Sequence, residues 1–549
     1  MSTSSPLARL ISTTIALLVS CCLTAAQVNA QGQDVTVKTG EFEVTFSAKG
    51  GVPTAWRVID RATAVGDSAP MVDLVDAEYL AASAERPLSL LLGADQAADL
   101  RPYQIAQAED GGRTVVTCSS QPDANGLQIV KRYTLTRGSY MVELTIELTN
   151  TGASSLEFEQ PRITVGPGLG LAPGRQAEPF DEGRDPTINA FFKTDGGVFD
   201  LTVHGEASEA DGDEQPAPPA AEWGGLESQY FTMVVVPNSG RDFVAAAAEL
   251  RASPAIDKLV SADDRAAYLS LVLTHEPIRV EAGASATVSY AIYAGPKERA
   301  ALAASSLGLD SILFHYLWNW LAAVCLALQD ILLVLKGVLG SYGLSIIAFA
   351  VLFRLVTLPL SLYGAKHSLL MQGKMAELKP VVAELKVKYA KNSDKLNQAI
   401  LALYKEHGIN PFSHFKGCLP LFIQLPVLIA LFNLLLHSYD LRGAQFLWIG
   451  DLTLTDRLFA LPFSLPWLGS YLNLLPLVMF GAMIMVGRAM RVPGSAPSGS
   501  PGLKYLMPVA MTLLFYPFPA GCMLFWTTGN LIQIAEQRFT TARVAKMTT

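Results

Sequence analysis

Three things are scarce in this sequence, and each scarcity excludes something. The first is paired cysteine. The six cysteines make no disulfide framework: Cys21 and Cys22 lie in an N-terminal apolar segment, and Cys325, Cys418 and Cys522 lie in or beside later apolar runs. That leaves Cys118 in the polar half with no partner there, and no C-x-x-C or Cys/His spacing suggests a metal site. The second is any spacing of catalytic residues. There is no H-E-x-x-H, no G-x-S-x-G and no P-loop, so neither an enzyme, nor nucleotide hydrolysis, nor a cofactor is expected. His204, His275 and many carboxylates are available in the first half, but scattered charges on a strand-rich domain are usually a solvated face. The third is positive charge. Lys and Arg number 41 against 49 Asp and Glu, a net charge of −8, which argues against nucleic acid as a partner.

Long apolar runs, by contrast, are abundant, and they are confined to the second half. Residues from about 31 to 300 are acidic and of ordinary polarity, whereas those after about 310 hold the apolar runs and most of the lysines. This is a soluble domain followed by a membrane domain. The N-terminus, residues 1–30, reads as an export signal with Arg9, an apolar core and small residues. Three readings of it stand side by side. Val28-Asn29-Ala30 suits ordinary cleavage, Leu18-Val19-Ser20-Cys21 resembles a lipobox that would make Cys21 a lipidation site, and the segment also suits an uncleaved anchor. All three place the next domain outside the cytoplasm.

Residues 31–305 alternate apolar and polar positions in short runs, which predicts an all-β sandwich. Ile129 to Leu135 and Tyr140 to Leu148, joined through Thr136-Arg137-Gly138-Ser139, form the clearest hairpin. Glu206 to Ala221, acidic and rich in Pro and Ala, reads as a mobile loop. Residues 311–339 read as an amphipathic helix lying on the outer membrane surface, with Trp318 and Trp320 at headgroup level. A span is the alternative for this segment.

Gly343 to Gly364 is long enough to cross a bilayer, and Arg354 sits in its middle. A charge there costs at least roughly 2.5–3.5 kcal/mol, so it is expected to face a protein interior or a wet cavity. Residues 366–409 follow as a helical hairpin. Nine lysines stand against four acids between Ala365 and Lys416, which marks the hairpin as cytoplasmic. Met371, Met375, Leu378, Val382, Leu385 and Tyr389 make one seam, and Leu396, Ile400, Leu403 and His407 the other. Asn392-Ser393-Asp394 supplies the turn and a helix cap, and a kink is expected at Pro380. Four more apolar runs follow: Cys418 to Leu436, Leu474 to Val486, Tyr505 to Phe518 and Cys522 to Ala535. Loop charges then predict five spans within residues 343–540, the first domain outside and a short tail, 541–549, inside.

The spans carry Gln424, Asn433, Thr357, Thr512, Thr527, Thr528, Asn530 and Gln533. Each alone suits a helix–helix hydrogen bond; together with Arg354 they suggest one polar cavity. No acidic residue falls inside any of these runs, which leaves Arg354 without an expected ion partner.

Arg354 in mid-span, Lys379-Pro380 in the hairpin, Asn410-Pro411, the run Gly417 to Pro426 and Phe518-Pro519-Ala520-Gly521 with Asn530 resemble the YidC/Oxa1/Alb3 membrane protein insertases, bacterial YidC branch. KRYTLTRGSYMVELTIELTN and AGPKE resemble, more weakly, the periplasmic β-supersandwich of Gram-negative members. The resemblance implies a multi-pass inner-membrane α-helical bundle with a periplasmic domain. It implies insertion and folding of nascent membrane proteins, by a monomer alone or beside the Sec translocon, in contact with lipids. It implies a hydrophilic groove around Arg354, Gln424, Asn433, Thr527, Asn530 and Gln533. Phe525 and Trp526 stand where some members have paired tyrosines and would form a substrate-sliding face. Met371, Met375, Lys379 and Pro380 would contact incoming substrate, and the short tail weakens the expectation of ribosome binding. Ala350 replaces a threonine common in the family. A solute transporter and a membrane-anchored carbohydrate-binding protein remain as alternatives from other classes.

Overall fold

The structure is a computed structural model. It describes residues 27–28, 33–60, 71–75, 86–93, 99–166, 169, 188–201, 220–238, 243–249, 270–390, 392–407, 414–465, 469–489 and 501–548. Cys21 and most of the export segment, and the acidic stretch up to residue 219, lie outside the described residues. The chain divides into two compact units, Met1–Tyr316 and Leu317–Thr549.

The first unit is a sandwich. Its backbone is a ten-stranded antiparallel sheet in the spatial order Gln27–Val28, Tyr103–Asp110, Arg113–Ser120, Leu127–Thr136, Met141–Asn150, Ser285–Pro296, Phe231–Pro237, Trp223–Glu227, Asn189–Thr194 and Gly197–Leu201. Its first strand uses two residues that the sequence reading assigned to the export segment. The predicted hairpin is central: Val142 pairs with Leu135 and Asn150 with Leu127, around a turn in which Gly138 takes φ 81°. Alternation decides the inner face, because successive side chains of a strand point to opposite sides. Leu127, Ile129, Tyr133 and Leu135 are buried, and so is Lys131, whose Nζ donates to the Gly50 carbonyl at 2.7 Å.

Two four-stranded sheets cover this one. The sheet made of Val35–Lys38, Phe42–Ser47, Val52–Ile59 and Met71–Asp73 brings Phe46 to 4.7 Å from the Tyr133 ring. The other, containing Ala245–Glu249, Ser270–Thr274, Arg162–Val165 and Leu90–Leu91, lies so close to Gly224 that a Cβ there would meet Leu271 and Leu273 at 2.9 and 2.8 Å. The arrangement is the expected β sandwich, closed over a core of Trp56, Tyr133, Tyr290 and Phe243. A short helix, α1 (Arg299–Ala304), follows the last strand.

The second unit is helical: α2 (Asn319–Leu339), α3 (Tyr342–Lys388), α4 (Ser393–Glu406), α5 (His414–His437), α6 (Leu474–Ala489), α7 (Pro501–Phe515) and α8 (Ala520–Thr548). α2 ends at Gly340, which takes the left-handed φ of 74° that a helix C-terminus favours, with its N–H donating to the Lys336 carbonyl. One face of α2, Leu321, Cys325, Leu328, Gln329 and Leu332, is buried. Gln329 Nε2 donates to Asp440 Oδ2 at 2.8 Å, and the Cys325 thiol to the Ala430 carbonyl at 3.6 Å. Trp318, Trp320, Val334 and Val338 stand exposed. Among the described helices, α2 and the first half of α3 (Tyr342–Tyr363) are those long and apolar enough to cross a membrane.

One expectation needs correcting. The first span and the first arm of the hairpin are not separate elements but one helix of 47 residues, α3, running through Pro359 and Pro380. Nothing between Gly364 and Lys366 offers a cap or a break strong enough to end it. The hairpin itself closes as the seams require: Leu378 is buried against Leu403 and Tyr404, and the Asn392 side chain caps α4 by accepting from the Lys395 N–H at 3.0 Å.

One buried histidine in the first unit predicts how the sandwich responds to acid. His275 Nε2 and the Tyr290 hydroxyl share a hydrogen bond of 2.6 Å, and the ring lies 4.7 Å from that of Phe243. Burial pushes its pKa down from 6.5 to about 4. Between those values the unfolded chain binds a proton that the folded chain refuses, so stability falls as pH drops from 6.5 toward 4. The expected loss is on the order of 3 kcal/mol. Thermal unfolding of the strand signal across that range should show it, and His275→Phe should flatten the dependence.

Candidate functional site

The site is built where α3 meets α8. Four residues spaced by one turn, Gly521, Phe525, Gly529 and Gln533, form a single row on α8. A Cβ on Gly521 would lie 3.1 Å from Ile346 Cδ1. The Phe525 ring stacks on Phe349 at 5.6 Å and 22°, with Phe353 at 5.9 Å. A Cβ on Gly529 would lie 3.2 Å from Arg354 Nε and 3.3 Å from Nη2. Arg354 Nη2 then donates to Gln533 Oε1 at 3.3 Å. The partners ascend together on both helices, so α3 and α8 run parallel, and the two glycines let them approach closely.

Arg354 is therefore seated, not stranded. It is 6% exposed, with its guanidinium laid in the notch over Gly529 and held at one end by Gln533. Its neighbours Leu352, Leu355 and Val356 are exposed apolar residues on the other side of α3. Glu536 lies one residue beyond the last apolar run and is itself buried, but no hydrogen bond or ion pair joins it to Arg354 among the described residues. Glu536 and the buried Gln537 continue the α8 row past Gln533. The sequence signal for them was helical spacing, which a search confined to the apolar run cut off.

The other predicted groove residues fall as follows. Gln424, Thr527 and Asn530 are buried, but no hydrogen bond joins them to Arg354 among the described residues. Thr527 Oγ1 and Asn530 Nδ2 have no partner among the described residues, so each leaves a buried polar atom for a polar guest. Asn433 spends its amide on its own helix, donating to the Ile429 carbonyl at 2.8 Å, and Thr512 does likewise with Pro508. Phe525 and Trp526 do not line an open face: Phe525 is wedged against Phe349 and Phe353, and Trp526 lies 5.0 Å from Phe515. Adjacent helical residues point about 100° apart, yet both point inward here because α8 is covered on two sides. The exposed apolar residues nearby are Leu513 and Leu514 on α7 and Leu531 on α8. Pro380 is exposed; the side chains of Met371, Met375 and Lys379 lie outside the described residues, although the helix that carries them is described.

The loop between α5 and α6 closes the end of the bundle where α8 begins. Ala520 and Gly521, whose N–H groups have no partner within α8, donate to the carbonyls of Leu454 and Leu452 at 2.6 and 2.9 Å. Asp456 Oδ2 accepts from the Leu475 N–H in the first turn of α6, and Asn473 Nδ2 donates to the Tyr516 carbonyl.

Among the described residues, one group offers three candidate metal ligands: Asp200, Glu227 and His315 in the first unit. Its geometry is that of an ion-pair cluster. His315 Nδ1 faces the Ile312 carbonyl at 2.8 Å and Nε2 faces Asp200 Oδ1 at 2.6 Å. Both partners are acceptors, so the ring carries both protons. Lys297 Nζ stands 3.1 Å from Glu227 Oε2, where it would repel a cation. Burial works against the imidazolium, but the hydrogen bond to Asp200 and the charge of Glu227 outweigh it and hold the His315 pKa above its ordinary value.

Two family models match successive parts of the chain. Residues 34–324 match the family described as the YidC periplasmic domain, and residues 334–547 the family described as the 60Kd inner membrane protein. The chain is 28% identical over 536 residues to a membrane protein insertase YidC from Cupriavidus metallidurans, covering 93% of this chain and 84% of that one. A relative of the same name from Bordetella avium is 27% identical over 541 residues, covering 95% and 85%. A crystal structure titled as an active YidC insertase with the first transmembrane domain resolved aligns over 97% of this chain and 99% of that chain, at 16% identity and a TM-score of 0.36.

The seat of Arg354 makes a packing prediction. Gly529→Leu must push the guanidinium off its notch and part α8 from α3, and overpacking of this kind costs about 1–3 kcal/mol. Thermal unfolding of the purified full chain in detergent should show a clear drop for Gly529→Leu, a smaller one for Gly529→Ala, and little change for Leu531→Ala on the exposed side.

Proposed function

Because the chain belongs to the YidC family, whose named relatives are membrane protein insertases, we propose that it inserts nascent membrane proteins into the bacterial inner membrane and assists their folding. The sandwich is periplasmic, the lysine-rich hairpin and the C-terminus are cytoplasmic, and five spans make up the mature core. Insertion needs no nucleotide. The observation that carries this reading is the seat of Arg354: a full charge, buried in the middle of the apolar segment Gly343 to Gly364, held by one hydrogen bond to a neutral amide. A charge so placed attracts an opposite one strongly at short range. A client's acidic outer segment is drawn toward it and leaves the aqueous phase part-way across the bilayer. Burial of the client's apolar segment in lipid and the membrane potential then supply the drive.

Other features take supporting roles in this reading. The unpartnered polar atoms of Thr527 and Asn530 receive backbone or side-chain groups of the client. Leu513, Leu514 and Leu531, exposed and apolar, form the surface along which its transmembrane segment leaves, a role that buried Phe525 and Trp526 are poorly placed to fill. The hairpin arm around Met371, Met375, Lys379 and Pro380 meets the client first. The protein works as a monomer, alone or beside the Sec translocon.

The test is rescue of a bacterial strain depleted of its own insertase, following a small client with an acidic outer segment. Arg354→Ala should lower the inserted fraction by at least about tenfold, the factor that about 1.4 kcal/mol supplies, while Arg354→Lys retains most of it. Equal rescue by Arg354→Ala with every acidic client tried would remove the groove charge from the mechanism.

A further inference from the structure

The loop between α5 and α6 carries a tight turn whose tip faces away from the bundle. Phe446 and Ile449 close the turn, each N–H donating to the other's carbonyl at 2.9 Å. Ile449 is buried. Phe446 is wedged over Gly343, so closely that a Cβ on that glycine would collide with the phenyl ring. The two residues at the tip, Leu447 and Trp448, are 76% and 41% exposed. Leu447 takes φ 54°, a left-handed conformation that glycine or asparagine adopts at less cost. No charge falls between Gly443 and Gly450. A turn that met only water would be expected to carry the polar residues such positions favour. This one holds a leucine and a tryptophan outward on a strained backbone, pinned from beneath by Phe446 and Ile449.

The surroundings of the tip indicate what covers it. Gly343 opens the apolar run of α3, and Leu344 beside it begins a strip of exposed apolar residues that continues through Val351, Leu352, Leu355 and Val356. The tip therefore adjoins the surface that α3 offers to lipid, at the end where that surface starts. Tryptophan suits a bilayer boundary, where its apolar ring and polar N–H are both accommodated. We propose that Leu447 and Trp448 dip into the outer leaflet and set the depth of Arg354. This rests on the membrane insertase reading given above and adds two positioning residues to it. Arg354 lies eleven residues beyond Gly343, about 16 Å along a helix that rises 1.5 Å per residue. Half of a hydrocarbon core about 30 Å thick is about 15 Å. A tip held at the outer boundary thus sets the guanidinium at the middle of the bilayer. α3 does not define that depth by itself, because it runs on without a break into the hairpin arm. The placement of such a helix follows from its packing and its interfacial side chains.

The experiment reads tryptophan fluorescence from the full chain in vesicles of phosphatidylcholine brominated either near the headgroup or near the chain ends. Subtracting Trp448→Phe from the native chain isolates Trp448. Bromines near the headgroup should quench that signal by at least about half, and more than bromines near the chain ends do. Val356→Trp, on the exposed face of α3 two residues from Arg354, reports the depth of the charge by the same subtraction, and there the chain-end bromines should quench more strongly. With Leu447→Asn and Trp448→Gln combined, the ratio of deep to shallow quenching at residue 356 should change at least about twofold. Asparagine accepts the left-handed turn, so this pair should unfold in detergent no earlier than the native chain; if it does not accumulate, Leu447→Asn alone decides the matter. A Trp448 signal that bromine leaves unchanged, with Val356→Trp quenched, would put the tip in water or against another protein and overturn the proposal. A ratio at residue 356 that ignores loss of the tip would overturn its control of depth. Quenching at neither residue would bring down the membrane placement of α3 itself, and the proposal with it.

Discussion

The contact on which the helical unit depends is the parallel packing of α3 against α8, and within it the burial of one guanidinium. A charge removed from water demands hydrogen bonds, a nearby opposite charge and closely fitted walls. Two of these demands are met from the same row: Gly529 provides the wall and Gln533 the acceptor. Phe525 and Gly521 continue the row in the other direction and lock the register through Phe349 and Ile346. The remaining helices serve this interface. α5 reaches it where Leu435 lies against Gly521, and the loop before α6 satisfies the first N–H groups of α8.

The sandwich of the first unit obeys a different constraint. Its sheets must bury one face each, and strict alternation means that any residue at an inward position is buried whatever its chemistry. Lys131 pays that cost and recovers part of it from the Gly50 carbonyl and the Tyr103 ring, 5.3 Å away. His275 and His315 are buried in the same domain with opposite outcomes. The first meets a phenol and stays neutral; the second meets a carboxylate and holds its proton. Burial works against the charged form of both rings, and only at His315 do the hydrogen bond to Asp200 and the charge of Glu227 outweigh it.

The legible part of the sequence was whatever one element can state alone. Arg354 within a 22-residue apolar run announced an inward-facing charge, and the two seams of the hairpin announced that Leu378 and Leu403 would meet. What remained hidden lay between elements. Gly529 and Gly521 are ordinary glycines until α3 is laid against them. Glu536 escaped because the count of acids stopped at the edge of an apolar run, although the helix continues past Ala535. Phe525 and Trp526 were assigned outward because resemblance places residues in sequence but not on a helix face. The order of the ten strands, with Ser285–Pro296 inserted beside Met141–Asn150, depends on long-range pairing that local alternation does not encode.

The continuity of α3 has a mechanical consequence. At 1.5 Å per residue, 47 residues make a rod about 70 Å long, anchored near one end by the Arg354 seat and bearing the hairpin at the other. A plain helix of that length would carry every deflection of the hairpin back to the groove. This rod has two joints. Proline cannot donate the hydrogen bond that stiffens a turn, and Pro359 lies just beyond the anchored segment while Pro380 lies within the hairpin seam. Each proline leaves its turn one hydrogen bond short, so the helix bends more easily at those two points than at Arg354.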